Sequence, residues 1–229
     1  MTRSSASAAR RRPAKRGHTP FVAIAVVAAA VLIALVVALA VGGGNGGDGA
    51  TDTRNRNGDA ATTGTVTASG NPLPQFTTTD NDPAVGMKLP TLSGNDQTGA
   101  PMTIGADGRP TMIMFFAHWC PHCQREVPVV QQWVDDGHLP DAVDLVSVST
   151  GIDPNRPNFP PDVWLADEGW TAPVLVDSDN TAAHAAGLSA YPFFVAIDGD
   201  GTVLLRASGE LTTDQLDTIA SMLAQGTAG

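Results

Sequence analysis

Apolar residues along this chain fall into one long block near the start and many short ones toward the end. The long block, Phe21 to Val41, is an unbroken run of 21 residues. As a helix it would cross the roughly 30 Å hydrocarbon core of a bilayer. From residue 42 to 82 Gly, Thr, Asn, Asp and Ala take over, and only Val66, Leu73 and Phe76 offer sizeable apolar groups. A stretch so poor in apolar surface cannot offset its ordering entropy, so a flexible tether is expected there. Beyond Pro83 the short blocks recur. Thr111 to Phe116 is continuously apolar and suits a strand buried on both faces, and Val143 to Val148 reads as a second. Glu126 to Val134 between them has helical spacing at Val127, Val130 and Val134. Asp153 to Pro161 carries four prolines and is expected to be loop. Asp162 to Gly169 predicts a helix, Pro173 to Asp177 a strand and Asn180 to Ala186 a helix stopped by Gly187. Phe193 to Ile197 and Thr202 to Ala207 flank Asp198-Gly199-Asp200-Gly201, a hairpin signal, and Thr212 to Ala224 predicts a closing amphipathic helix. Strands alternating with helices indicate an α/β fold with a mixed sheet.

Charge gives the chain an orientation. Arg3, Arg10, Arg11, Arg12, Lys15 and Arg16 precede the long apolar block, no acidic residue occurs before Asp48, and only Arg54 and Arg56 follow nearby. The positive-inside rule then makes residues 1–20 a basic cytoplasmic tail and 21–41 a single transmembrane signal anchor. Residues 42–82 form the Gly/Thr-rich linker and 83–229 a folded domain outside the cytoplasm. A signal peptide cut near Ala38-Leu39-Ala40 is the competing reading, and it exports the same domain. With the leading basic residues set aside, seven basic residues face 23 acidic ones. That balance argues against a nucleic-acid partner, because phosphate binding needs a basic surface.

The chain has two cysteines, Cys120 and Cys123. A disulfide stabilises chiefly by closing a long loop, and this pair closes almost none, so redox or metal chemistry is expected of it. Trp119-Cys120-Pro121-His122-Cys123 follows a strand pattern and opens a helical one. A helix N-terminus offers partial positive charge and free N–H groups to a Cys120 thiolate. Pro121 fits the first helical position, and Cys123 lies close enough to resolve a mixed disulfide. Cys120 is therefore expected to be the accessible attacking thiol and Cys123 the buried resolving one. His122 is expected to stabilise the Cys120 thiolate, favouring the dithiol and making the disulfide more oxidising. His118 is read as either a modest electrostatic contributor or an exposed side chain. A copper-binding metallochaperone using both thiolates and a histidine is the alternative from another class, since soft sulfur suits Cu(I). A structural zinc site would need a second ligand cluster, and none follows. The redox reading needs no metal and no cofactor beyond the disulfide itself.

Residues 116 to 123, Phe-Ala-His-Trp-Cys-Pro-His-Cys, resemble the active site of thioredoxin-fold enzymes. Pro128 matches their helix-kinking proline, and Tyr191-Pro192 matches the cis-proline that faces the active-site disulfide. With Cys123-Gln124-Arg125-Glu126-Val127-Pro128, the chain from Pro83 onward is most similar to the TlpA/ResA-like membrane-anchored subgroup, but with the Pro-His dipeptide of DsbA-type oxidants. The resemblance implies a thioredoxin-like α/β fold whose central mixed sheet is flanked by helices, here preceded by a transmembrane helix and a linker. It implies thiol–disulfide exchange with exported proteins through a redox-active Cys120–Cys123 disulfide, and a membrane redox partner that resets it. It also implies an active-site role for Glu126 and substrate contacts from Trp119, Tyr191 and Pro192. Thioredoxin's buried aspartate, six residues before the first cysteine, is replaced by Met114, which leaves proton transfer to Glu126 or solvent. Two directions stay open: oxidation of exported proteins, favoured by the dipeptide, and reduction of cytochrome c haem-site or other exported disulfides, as in many ResA-like proteins.

Overall fold

The computed structural model describes residues 64–226. The expected basic tail, the membrane segment at 21–41 and the first part of the linker lie outside the described residues. Among the described residues, no helix is long and apolar enough to cross a membrane.

In chain order the elements are β1 (Thr67–Ser69), β2 (Thr91–Asn95), β3 (Pro101–Ile104), β4 (Thr111–Phe116), α1 (Pro121–Asp135), β5 (Asp144–Thr150), α2 (Pro161–Asp167), β6 (Val174–Asp177), α3 (Thr181–Ala185), β7 (Phe193–Ile197), β8 (Val203–Ser208) and α4 (Thr213–Gly226). Five strands form a mixed sheet in the order β6-β5-β4-β7-β8. The first three run parallel, and β7 and β8 are each antiparallel to their neighbour. The continuous apolar run of β4 follows from this central place. Met112, Met114 and Phe116 face one core layer, with Val127 and Val130 of α1 and Leu216, Ile219 and Leu223 of α4. Ile113 and Phe115 face the other, with Phe193, Val195 and, from α3, Ala182 and Ala185. A strand covered on both faces needs apolar residues at both phases of its two-residue period.

The second face is closed by a small antiparallel sheet, β1-β2-β3, which the sequence pattern did not reveal. Residues 64–82 also depart from expectation. They are folded onto the domain rather than forming the end of a tether. Val66, Leu73 and Phe76 are buried to 6 %, 4 % and 7 % exposure, and Phe76 meets the Phe193 ring edge-on with centroids 5.3 Å apart. The Leu73 and Phe76 N–H groups donate to the Ala185 and Gly187 carbonyls at 2.9 and 2.8 Å. Three apolar side chains cannot fold by themselves, but here Leu73 and Phe76 enter a face that β7 and α3 already provide, and Val66 joins the same apolar cluster. The domain therefore begins well before Pro83.

Candidate active site

β4 delivers the chain to one end of the sheet, where Ala117 to Cys120 make a tight turn closed by the Cys120 N–H donating to the Ala117 carbonyl at 2.9 Å. Cys120 is the N-cap of α1 and Pro121 its first residue, with no side-chain hydrogen bond capping the helix. That leaves the Cys120 sulfur beside unsatisfied N–H groups at the positive end of the helix. Cys123 sits one turn further on, among the buried residues of α1. Both thiols are free. Cys120 keeps 7 % exposure and Cys123 none, so both are buried but only the first has an opening. Burial pushes the Cys123 thiol far above its ordinary range, against a hydrogen bond from the Ala117 backbone, and the charges of Cys120 and Glu126 add to the rise.

Tyr191–Pro192 is a cis peptide. The Tyr191 carbonyl lies 4.0 Å from the Cys120 sulfur, while Pro192 itself is buried. The Trp119 indole forms a wall beside Tyr191, with ring centroids 6.0 Å apart and planes at 84°. Its N–H donates to the Gly151 carbonyl at 2.7 Å, and the Arg156 guanidinium lies 4.3 Å over its face. Gly151 has φ +61°, and a Cβ there would come within 2.9 Å of the Tyr191 hydroxyl, so glycine is required at this corner. Sequence reasoning brought neither Gly151 nor Arg156 to the site.

His118 is fully buried, which corrects the exposed reading. Its Nδ1 donates to the Pro157 carbonyl at 2.7 Å, leaving Nε2 to accept the Asp153 N–H at 3.2 Å. Burial pushes its pKa below the ordinary value, against the Pro157 carbonyl and the Asp153 charge, with Arg156 adding to the fall. Its own carbonyl accepts from the Gln124 and Asn158 side chains. His118 is thus a neutral clamp on the loop that carries Arg156.

His122 also departs from expectation. Its Nδ1 donates to Glu210 Oε1 at 2.6 Å, with Arg125 Nη2 2.9 Å away on the same carboxylate, so its hydrogen-bond partner is Glu210 rather than Cys120. Arg125 grips the same carboxylate, Nη2 at 2.6 Å and Nε at 3.2 Å from both oxygens. Arg125 lies next to Glu126 in the motif, but Glu210 is 88 residues from His122 and carries no local signal.

Glu126 is almost wholly buried, at 1 % exposure. Its Oε1 accepts the Leu211 N–H at 2.9 Å. Burial raises its pKa to about 7, against that hydrogen bond, with the Glu210 charge adding to the rise. Its charge is also felt at Cys123, three residues earlier on the same face. A carboxyl in this position can hold or release a proton near neutrality, beside the thiol least able to ionise unaided. In Glu126→Gln the amide oxygen can keep the Leu211 hydrogen bond, so the fold should persist. The expected result is loss of the inflection near pH 7 in the exchange rate and a fall on the order of a hundredfold at neutral pH, read by stopped-flow exchange from pH 5 to 9. An unchanged profile would leave Glu126 a structural residue. Because its folded pKa is raised, Glu126 contributes stability below the ordinary carboxyl range that is lost as pH rises through about 7. The glutamine variant should therefore gain relative stability above pH 7.

Among the described residues, no group of three His, Cys, Asp or Glu side chains gathers to hold a metal ion. The copper reading also needs a histidine beside the thiols, and His122 is engaged with Glu210.

Residues 68–223 match the family model described as Redoxin. The chain is 27 % identical over 128 residues to sporulation thiol-disulfide oxidoreductase A of Bacillus subtilis, covering 56 % of this chain and 73 % of that protein. It is 23 % identical over 109 residues to the thiol-disulfide oxidoreductase ResA of Geobacillus thermodenitrificans, covering 48 % of this chain and 60 % of that protein. The crystal structure of a DsbF homologue from Corynebacterium diphtheriae aligns with a TM-score of 0.52 at 16 % identity, over 65 % of this chain and 98 % of that one. At that identity the likeness shows the fold, which is thioredoxin-like.

Proposed function

Since the chain belongs to the Redoxin family, on its TlpA/ResA-like side, and is a thiol–disulfide oxidoreductase, we propose that it oxidises the thiols of exported proteins outside the cytoplasm through Cys120 and Cys123. The observation carrying this reading is the placement of the two sulfurs: Cys120 at the helix N-cap with the one opening, Cys123 sealed behind it. A substrate thiolate attacks the Cys120 sulfur of the disulfide. The Cys120–Cys123 bond breaks, and the Cys123 sulfur leaves and takes a proton from the Glu126 carboxyl. A second substrate thiolate then attacks the substrate sulfur of the mixed disulfide and releases Cys120 as a thiolate at the helix N-terminus. Two substrate thiols become a disulfide and the enzyme disulfide becomes a dithiol, so two electrons enter the enzyme. A membrane redox partner accepts them and restores the disulfide. The Tyr191 carbonyl beside the Cys120 sulfur and Trp119, packed against Tyr191, are assigned to holding the substrate strand. The oxidising direction rests on thiolate stabilisation at the helix N-terminus.

The anchor at residues 21–41 and the location outside the cytoplasm belong to the same proposal, and one experiment tests them together. Intact cells are treated with a membrane-impermeant maleimide, before and after an external reductant. The expected result is that the full chain, in the membrane fraction, resists labelling at rest and is labelled after reduction. Labelling at rest would mark a reductant, acting on haem-site or other exported disulfides. No labelling in either case would place the domain on the cytoplasmic side.

A further inference from the structure

Around the candidate site, Glu210 is held more firmly than its exposure would require. Its neighbour Gly209 donates its N–H to the Pro192 carbonyl at 2.9 Å. Its other neighbour, Leu211, donates to Glu126 at 2.9 Å. The segment 209–211 therefore ties the cis-proline loop to the cysteine helix, with the Glu210 carboxylate between them. That carboxylate takes both polar side chains of the helix's exposed first turns, His122 and Arg125. Hydrogen bonds from Arg125 and then His122 hold its pKa down at about 2, so it stays charged at any working pH. Arg125 is also within electrostatic reach of Cys120. A ring nitrogen has a single hydrogen-bonding direction, so His122 Nδ1 cannot serve Cys120 while Glu210 holds it.

We propose that Glu210 is a positioning residue that sets the redox poise of the Cys120–Cys123 pair, by drawing His122 and Arg125 away from the Cys120 sulfur. The proposal rests on the exchange function above and explains what the Pro-His dipeptide does in this chain. The charge on the Cys120 sulfur exists only in the reduced state. Groups near that sulfur therefore shift the equilibrium in which the enzyme disulfide and two glutathione thiols become the enzyme dithiol and one glutathione disulfide. Glu210 is a negative charge that offsets the neighbouring guanidinium. Without it the field at Cys120 becomes more positive and His122 is free to donate, both of which favour the dithiol. Glu210 thus restrains the oxidising power that the dipeptide alone would confer.

The test is equilibrium titration of the purified full-length chain against reduced and oxidised glutathione. Glu210→Gln should shift the equilibrium roughly tenfold toward the dithiol, about 30 mV more oxidising. Arg125→Gln, which leaves Glu210 uncompensated, should shift it the opposite way. Glu210→Asp should restore the original value, and adding His122→Ala to Glu210→Gln should reverse part of the shift. A purely structural Glu210 would alter the melting temperature and leave the equilibrium where it was, and that result would overturn the proposal, as would a Glu210→Gln shift toward the disulfide. If the unmodified chain does not exchange with glutathione at all, the exchange function fails instead. The two failures are therefore distinguishable.

Discussion

Cys120→Ser should reduce disulfide exchange to the uncatalysed background without costing stability. A hydroxyl cannot attack a disulfide near neutral pH, because the reacting species is the thiolate. The remaining thiol, Cys123, has no exposure and is pushed up by burial. It cannot take over the attack. Stability should move in the opposite direction. Cys120 is the N-cap of α1 and makes no capping hydrogen bond, whereas serine is a preferred N-cap whose oxygen accepts from the first turn, a gain of up to about 1 kcal/mol. An inactive variant that melts slightly higher than the parent is therefore the expected pair of results, read by an exchange assay and by thermal denaturation. Cys123→Ser should differ in kind. Presented with a substrate disulfide, its Cys120 thiolate attacks one sulfur and expels the other as a thiol, and with no Cys123 to attack Cys120 in turn the mixed disulfide accumulates.

Asp82→Ala should give the largest loss of stability, about 3–5 kcal/mol, the usual cost of leaving one member of a buried ion pair unpaired. Arg206 has no exposure. Its Nε and Nη2 donate to the two Asp82 oxygens at 2.8 and 2.6 Å, and its Nη1 donates to the Pro74 and Ala186 carbonyls at 2.9 and 2.8 Å. The guanidinium lies over the Phe76 and Phe193 rings at 5.5 and 5.9 Å. One side chain thus pins residues 74–82 across β7 and β8. Burial opposes the Asp82 charge, but the Arg206 hydrogen bond, the Ala84 N–H and the Arg206 charge outweigh it and hold the carboxyl below its usual range. With a lowered folded pKa, its contribution is present above the unfolded carboxylate pKa and is lost as pH falls through the folded value. Urea denaturation should therefore separate parent and variant fully at pH 7, with the gap closing in acid. Pairing Asp82→Ala with Arg206→Met, which removes the stranded charge, should recover much of the loss.

Legibility in the sequence followed the range of the interaction. β4 was readable because its partners on both faces impose one unbroken apolar run, and α1 because Cys120, Pro121 and the Val127–Val130 spacing act within a few residues. β1 to β3 were hidden. Thr67-Ala68-Ser69 has no large apolar group, and Leu92 and Ile104 are the buried apolar residues of β2 and β3, too few to show a period. Leu73 and Phe76 looked like part of a tether because what buries them lies about a hundred residues away, on β7 and around α3. The site divides in the same way. The cysteine pair, Glu126 and Tyr191-Pro192 were marked by local motifs, and the structure places the Tyr191 carbonyl 4.0 Å from the Cys120 sulfur and Cys123 and Glu126 among the buried residues of α1. The partners that determine what His118 and His122 do, Pro157 and Glu210, come from distant loops with no pattern of their own. The histidine expected to serve the thiolate is consequently committed elsewhere, and the one left undecided is a buried clamp.

The division of labour between the two sulfurs is tested most directly by timed alkylation of the reduced full-length chain, followed by peptide mass mapping. Cys120, with the only opening and the helix N-terminus beside it, should be modified first, and Cys123 should follow only under conditions that unfold the domain. Modification of Cys123 first, or of both cysteines at equal rates in the folded protein, would contradict the assignment of Cys120 as the exchanging thiol.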